Sequence, residues 1–161
     1  MPIPTEYGGR DADPITFNSS MAWERACILA TCLGTMRRQL ERCVEHARRR
    51  KQFGQPIGKF QSVANRIVDM KLRYETARLL IYKVGWLMQE NRSADMDAAT
   101  AKLYVSESFV KSCLDEIQIH GGSGFMTELE LERELRDSVG STLYSGTSEI
   151  QRNIIVRGLR I

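Results

Sequence analysis

Apolar residues recur along this chain with a helical period. Met21, Ile28, Cys32, Met36, Leu40, Val44 and Ala47 are separated by a seven, fours and a three, which lines one helix face. Asn18, Ser19 and Ser20 offer capping oxygens before it. Gly54 is expected to end this helix, and Pro56 suits the first turn of the next. The second helix has the clearest seam, through Phe60, Val63, Ile67, Met70, Tyr74, Ala77, Ile81, Val84 and Met88. Asn91-Arg92-Ser93 breaks it, and Ser93 is expected to cap a third helix that buries Ala99, Leu103, Val110, Leu114 and Ile117. Gly121, Gly122 and Gly124 stop that helix. Thr127 with Glu130 has capping-box spacing for a short fourth helix ending near Asp137, and Thr147 to Leu159 reads as the last. No stretch alternates cleanly, so no sheet is expected. The pattern predicts an all-α fold: an antiparallel, four-helix-type up-and-down bundle with one short additional helix. Residues 1–17, rich in Pro, Gly and Asp, read as an irregular arm, and residues 18–161 as the bundle.

Composition narrows the class. The 161 residues are 42% hydrophobic and 27% charged, which excludes disorder and a disulfide-rich miniprotein. No apolar run reaches roughly 18 residues, so no membrane span is expected. The opening residues lack the order of a signal peptide. Cys27, Cys32, Cys43 and Cys113 form no CxxC pair, and with only His46 and His120 to join them no metal site is expected. Buried free thiols in the cytoplasm are the expectation.

Four constellations could carry chemistry. The basic run Arg37, Arg38, Arg42, Arg48, Arg49, Arg50 and Lys51 is broken by Glu41 and Glu45 and has no interleaved aromatics, so a solvated face is favoured over nucleic-acid binding. Arg50 differs, because at a helix end beside Phe53-Gly54 it could pair with a phosphate. The glycines from Gln118 to Gly124 admit a ligand to the backbone or simply cap a helix. They follow a helix rather than a strand, so they are no dinucleotide fingerprint. Ser145-Gly146-Thr147-Ser148-Glu149 reads either as an N-cap or as an anion or polar-ring site. Glu24, beside Trp23, Ala26 and Ile28, is either an ordinary first-turn Glu or a base raised by burial.

In order along the chain, three segments resemble the C-terminal helical domain of the acyl-CoA dehydrogenase family. They are ARRRKQFGQPIGKFQSVANRIVDM (Ala47 to Met70), QIHGGSGFMTELELERELRD (Gln118 to Asp137) and LYSGTSEIQRNIIVRGL (Leu143 to Leu159). The resemblance implies FAD, held in the family where this domain meets a β-domain and a neighbouring subunit. Positions matching FAD contacts are Arg50, Phe53, Gln61, Gln118, Gly121, Gly122, Thr147, Ser148 and Glu149. It implies α,β-dehydrogenation of an acyl-CoA or acyl-carrier-protein thioester, with electron-transfer flavoprotein or another acceptor and a homodimer or homotetramer.

The base most often precedes the Gly-Thr of the last signature. Here that residue is Ser145, which cannot serve. A minority of the family, isovaleryl-type and long-chain-type enzymes, carries the base in a Glu-Arg pair on the first bundle helix, matched by Glu24-Arg25. Glu24 is therefore the expected catalytic base, Ser145 leaves room for it, and Arg25, Ser145 and Gly146 are expected near the substrate. The domains that precede this one in the family would not fit in 161 residues, so the chain is expected to be a complete domain of a larger enzyme. Competing readings are a non-catalytic oligomerisation or partner-binding module and an oxidase-like relative.

Overall fold

The structure, a computed structural model, describes Glu24, Arg25 and residues 28–161. The expected arm (1–17), the Asn18–Ser20 caps, Met21 and Cys27 lie outside the described residues. Helix α1 spans Ala30–Arg49, strands β1 and β2 span Lys51–Gln52 and Gln55–Pro56, and α2 spans Gln61–Gln89. They are followed by α3 (Asp95–His120), a single turn α4 (Gly122–Phe125), α5 (Leu131–Gly140) and α6 (Ser148–Leu159). The expected all-α bundle is what forms.

The α2 seam is read correctly: Met70, Ala77 and Val84, seven apart, are fully buried, and the rest of the seam is half-buried. On α1 the inward stripe is Cys32, Met36, Gln39, Cys43 and Ala47. The stripe expected on α3 is only partly right. Ala99 is buried and Leu103, Val110 and Ile117 are half-buried, but Leu114 is 52% exposed. The reason is that α3 is the central helix, packed against α1, α2, α5 and α6. A helix surrounded in this way buries what is small enough to let its neighbours approach. Its interior is mostly small, Ala98, Ala99, Ala101, Ser106, Ser108, Ser112 and Cys113, and the larger buried members are Lys102, Val105, Phe109, Glu116 and Ile119.

Polar ties fix the packing. Arg42 of α1 donates to both carboxylate oxygens of Glu116 on α3 (2.8 and 3.1 Å) and to Glu134 on α5 (2.7 Å). Gln39 adds a bond to Glu134 at 3.1 Å. Arg66 and Arg73 of α2 share Asp115 of α3, and Arg152 of α6 pairs with Glu107 of α3 at 2.6 Å. In the basic run, Arg37 and Arg49 pair with Glu41 and Glu45 one turn away, so much of that run is neutralised on its own helix.

Four local expectations are corrected. A short antiparallel hairpin exists, with Lys51 opposite Pro56 and Gln52 opposite Gln55. Two-residue strands are too brief to show alternation. Gly54 does not end α1, which stops at Arg49. Phe53 (φ 51°) and Gly54 (φ 76°) instead form the hairpin turn, whose tight reversal needs positive φ at both positions. Ser93 does not cap α3, because the capping position falls on Ala94. Thr127 and Glu130 form no capping box. Thr127–Leu129 is a 3-10 turn closed by the Glu130 N–H to the Thr127 carbonyl (3.1 Å), and α5 starts after Glu130 in a left-handed conformation.

Candidate functional site

Two groups of candidate residues emerge, at different places along α3. The first joins the two ends of the described chain. Ser145 Oγ donates a 2.8 Å hydrogen bond to Glu24 Oε1. Ser145 (φ 54°) and Gly146 (φ 92°) are both left-handed, which turns the chain sharply into α6. Gln151, fully buried on the first turns of α6, donates its side-chain amide to the carbonyls of Ser145 (3.1 Å) and Gly146 (2.9 Å).

Arg25 follows Glu24 and is half-buried, with its Nε enclosed and without a partner. Near it, Lys102 of α3 is fully buried and its ammonium has no hydrogen-bond partner among the described residues. Burial holds the Lys102 pKa below its usual value; Glu149 opposes that shift and Arg25 adds to it. Thr147 occupies the N-cap position of α6 with an extended backbone but makes no side-chain cap bond to it. Ser148 is buried, and its N–H is spent on the Thr142 carbonyl (3.2 Å), so it seats α6 rather than facing outward. Glu149 is exposed. Its own backbone N–H and the Thr147 hydroxyl hold its carboxyl below the usual range. Tyr144 places its hydroxyl 3.9 Å from Cys32 Sγ, and burial pushes the phenol up to about 12.

The second group lines an open cleft of about 380 Å³ between the end of α1, the hairpin and the end of α3. Arg50, Gly121 and Gly122 stand on its wall with His46, Gln52, Ile57, His120 and Ser123. Arg50 reaches it because α1 stops one residue earlier and Arg50 is extended. Gly121 (φ 62°) closes α3 with its N–H on the Ile117 carbonyl at 2.9 Å. Gly124 is buried so tightly that a Cβ would lie 2.7 Å from that same carbonyl oxygen. Phe53 stands 92% exposed at the hairpin tip, meeting only the edge of Phe60 at 6.0 Å between centroids. A large apolar residue held outward at positive φ is costly unless something covers it. Gln61 and Gln118 are exposed and outside the cleft lining.

Sequence reasoning missed the two imidazoles in this cleft. His46 and His120 stack with centroids 4.2 Å apart. Burial, then His120 and Arg50, lowers the His46 pKa below its usual value. It also missed Gln151 and Lys102. The glutamine sat within a quoted motif, and the lysine within an apolar stretch where a lone charge was the available signal. Beneath the cleft, Cys43, Glu116 and His120 bring ligand-type atoms within 4.8 Å of one another. The Arg42 guanidinium already holds both Glu116 oxygens, and burial raises the Cys43 thiol above its usual pKa. The cleft contains none of Glu24, Ser145 or the start of α6. Glu107, tied to α6, precedes His120 by thirteen helical residues, about 20 Å at 1.5 Å each.

An all-α bundle with a glycine-closed cleft and a carboxylate docked on a left-handed serine defines a class of helical cofactor-associated domain rather than a free-standing globin or cytokine-like bundle. The family model for the acyl-CoA dehydrogenase C-terminal domain matches residues 16–160, and the chain belongs to that family. It is 48% identical to an L-prolyl peptidyl-carrier-protein dehydrogenase of Pseudomonas fluorescens over 145 residues, 90% of this chain and 38% of that protein. Among solved structures it is similar to the prolyl acyl carrier protein oxidase AnaB (TM-score 0.90, 54% identity, 91% of this chain and 39% of that one). It is likewise similar to the FAD complex of PigA (TM-score 0.91, 44% identity, 95% and 40%). The chain thus spans about two fifths of the length of these relatives.

Proposed function

We propose that this chain is the C-terminal bundle of an FAD-dependent oxidoreductase that forms an α,β double bond in an acyl thioester. The proposed substrate is a prolyl group on a carrier protein, and Glu24 is the catalytic base. The observation that carries the reading is the Ser145–Glu24 hydrogen bond at 2.8 Å. It puts a carboxylate from ahead of α1 beside the position where most of the family supplies one. The substrate class rests on the likeness to two prolyl-carrier-protein enzymes at 48% and 54% identity.

The residues fit the group that the family binds. Arg50 offers a fork of donors for a diphosphate, Gly121 and Gly122 keep the cleft wall free of side chains, and exposed Phe53 offers an aromatic face. Thr147 and Glu149 offer polar contacts at α6, with Gln61 and Gln118 exposed nearer the cleft and Ser148 supporting from inside. Separate patches suit a cofactor shared across a subunit boundary. Bound flavin would supply the hydride acceptor for the β-hydrogen. Glu24 takes the α-proton. Arg25 follows the base in sequence, and Lys102 lies close to Arg25. Electron-transfer flavoprotein or another acceptor then carries the electrons away.

Self-association as a dimer or tetramer is supported by a second, exposed seam on α2. Val68, Leu72, Leu79, Tyr82 and Trp86 each expose half or more of their surface at heptad-like spacing. Among the described residues no helix is long and apolar enough to cross a membrane. Cys32, Cys43 and Cys113 are buried free thiols, which suits a reducing cytoplasm.

The test is anaerobic mixing of the full flavin-loaded protein with a prolyl carrier-protein thioester and with an acyl-CoA series. Bleaching of the flavin band by the prolyl thioester, abolished by Glu24→Gln, is the expected result. Bleaching by acyl-CoA alone would keep the base and change the substrate. Undiminished bleaching in Glu24→Gln would remove Glu24 from the mechanism. A colourless, inert oligomer would favour the non-catalytic module.

A further inference from the structure

We infer that Gln151 is a positioning residue: it locks the Ser145–Gly146 turn so that the Ser145 hydroxyl holds Glu24 Oε1 and leaves Oε2 to receive the substrate proton. This rests on Glu24 being the base.

The geometry runs in three links. Ser145 adopts φ 54°, a conformation that L-residues other than Asn and Asp visit rarely, so something must hold it. Gln151 does so. Its side chain has no solvent exposure, and both amide hydrogens are committed, one to the Ser145 carbonyl (3.1 Å) and one to the Gly146 carbonyl (2.9 Å). Two carbonyls can only accept, so they fix which way the amide faces. Its Oε1 is left buried without a partner, which marks the residue as kept for its N–H groups. A Cβ at Gly146 would sit 2.7 Å from Gln151 Nε2, so the clamp closes only on a glycine. The backbone N–H of Gln151 bonds to the Thr147 carbonyl at 3.0 Å, so the clamp is anchored in the first turn of α6.

The last link is Ser145 Oγ to Glu24 Oε1, 2.8 Å across 121 positions of sequence. A hydroxyl that donates to a carboxylate favours its charged form and fixes its rotamer. Both serve a base that must be ionised and aimed before the thioester arrives. No proton is transferred by Ser145 or Gln151. Ser145 keeps its hydrogen throughout, and the α-proton goes to Glu24.

The experiment uses the full flavin-loaded protein, the prolyl carrier-protein thioester and stopped-flow flavin reduction. Ser145→Gly removes the hydroxyl yet accepts φ 54° without strain. It is expected to slow reduction about tenfold, the scale of one hydrogen bond to a charged group. Substrate affinity and flavin content should be unchanged, and the acid limb of the pH–rate profile should move to higher pH. Gln151→Met, similar in volume, is expected to slow reduction by a similar factor and to speed hydrogen exchange at the amides of 145–148. The double variant should be no slower than either single one, because Gln151 acts through Ser145. A wild-type rate and pH profile in Ser145→Gly, or losses that multiply in the double variant, would overturn the inference. If Glu24→Gln reduces flavin normally, the base reading falls and takes this inference with it. If Glu24→Gln is dead while Ser145→Gly is normal, only this inference falls. Should Gln151→Met fail to accumulate, Ser145→Gly carries the test alone.

Discussion

The two candidate regions are built on opposite plans. At the Glu24–Ser145 junction the chain fixes its own geometry: the acid meets a hydroxyl, the turn meets an amide, and the amide is buried. In the Arg50 cleft the chain leaves its groups waiting. A guanidinium and two stacked imidazoles share an open wall, and a phenyl ring stands in solvent beside it. Under the proposed function the difference has a reason: a base aimed before substrate arrives would have its geometry fixed internally, and a receptor for a cofactor that brings its own charge and aromatic surface would stay open until occupied.

Perturbing each region should therefore break a different property. The largest effect is expected from Glu24→Gln, which should lower the rate of substrate-driven flavin reduction by about 10²- to 10⁴-fold while flavin content stays at wild-type level. Next comes Arg50→Ala, which should weaken FAD retention by about 10- to 100-fold, as for loss of a charged hydrogen bond, with near-normal reduction in the loaded fraction. Equilibrium dialysis of flavin against both variants checks the split; flavin loss in the first or a dead loaded fraction in the second would merge the two regions. Gly124→Ala is expected to destabilise the fold by about 1–3 kcal/mol, because its Cβ would press on the Ile117 carbonyl under the cleft. Chemical denaturation measures it, and the Glu24–Ser145 junction should be spared.

The smallest effect lies between the regions, in the pH dependence of stability. Burial pushes the Glu116 carboxyl up to about 7, against the pull of Arg42. The folded state then holds a proton that the unfolded state has released, so this group loses stability as pH rises from about 4.3 to its folded value. Glu134 works the other way. Burial would raise it, but hydrogen bonds from Arg42, Gln39 and Arg38 hold it low, so its contribution is lost as pH falls below about 4.3. Glu116→Gln should flatten the stability slope between pH 5 and 7 and leave the acid limb in place, which a pH series of melting temperatures would show.

Much of this was legible from residues alone. The α2 seam could be read because one face repeats in threes and fours without interruption. Ser145 and Glu24 could be paired in one reading because both sit in recognisable motifs; the structure sets their side chains 2.8 Å apart, and their catalytic roles belong to the proposal. What stayed hidden depends on surroundings. The α3 stripe was misread because burial there follows packing on several sides, which bulk and hydropathy along one helix do not encode. The caps at Ser93 and Thr127 failed because backbone turns satisfied the helix starts instead. The His46–His120 stack joins two helices, and Gln151 looks like any helical glutamine until its two carbonyl partners are known.

The hydrogen bond from Ser145 to Glu24 spans 121 positions, and that span has a consequence for how the chain folds. Closing so long a loop adds little to the entropy already spent, since each doubling of loop length costs only about 0.6 kcal/mol. Yet the contact cannot form early, because the helices between must first set its two ends side by side. The proposed base would thus gain its hydroxyl partner only after the helices between have packed.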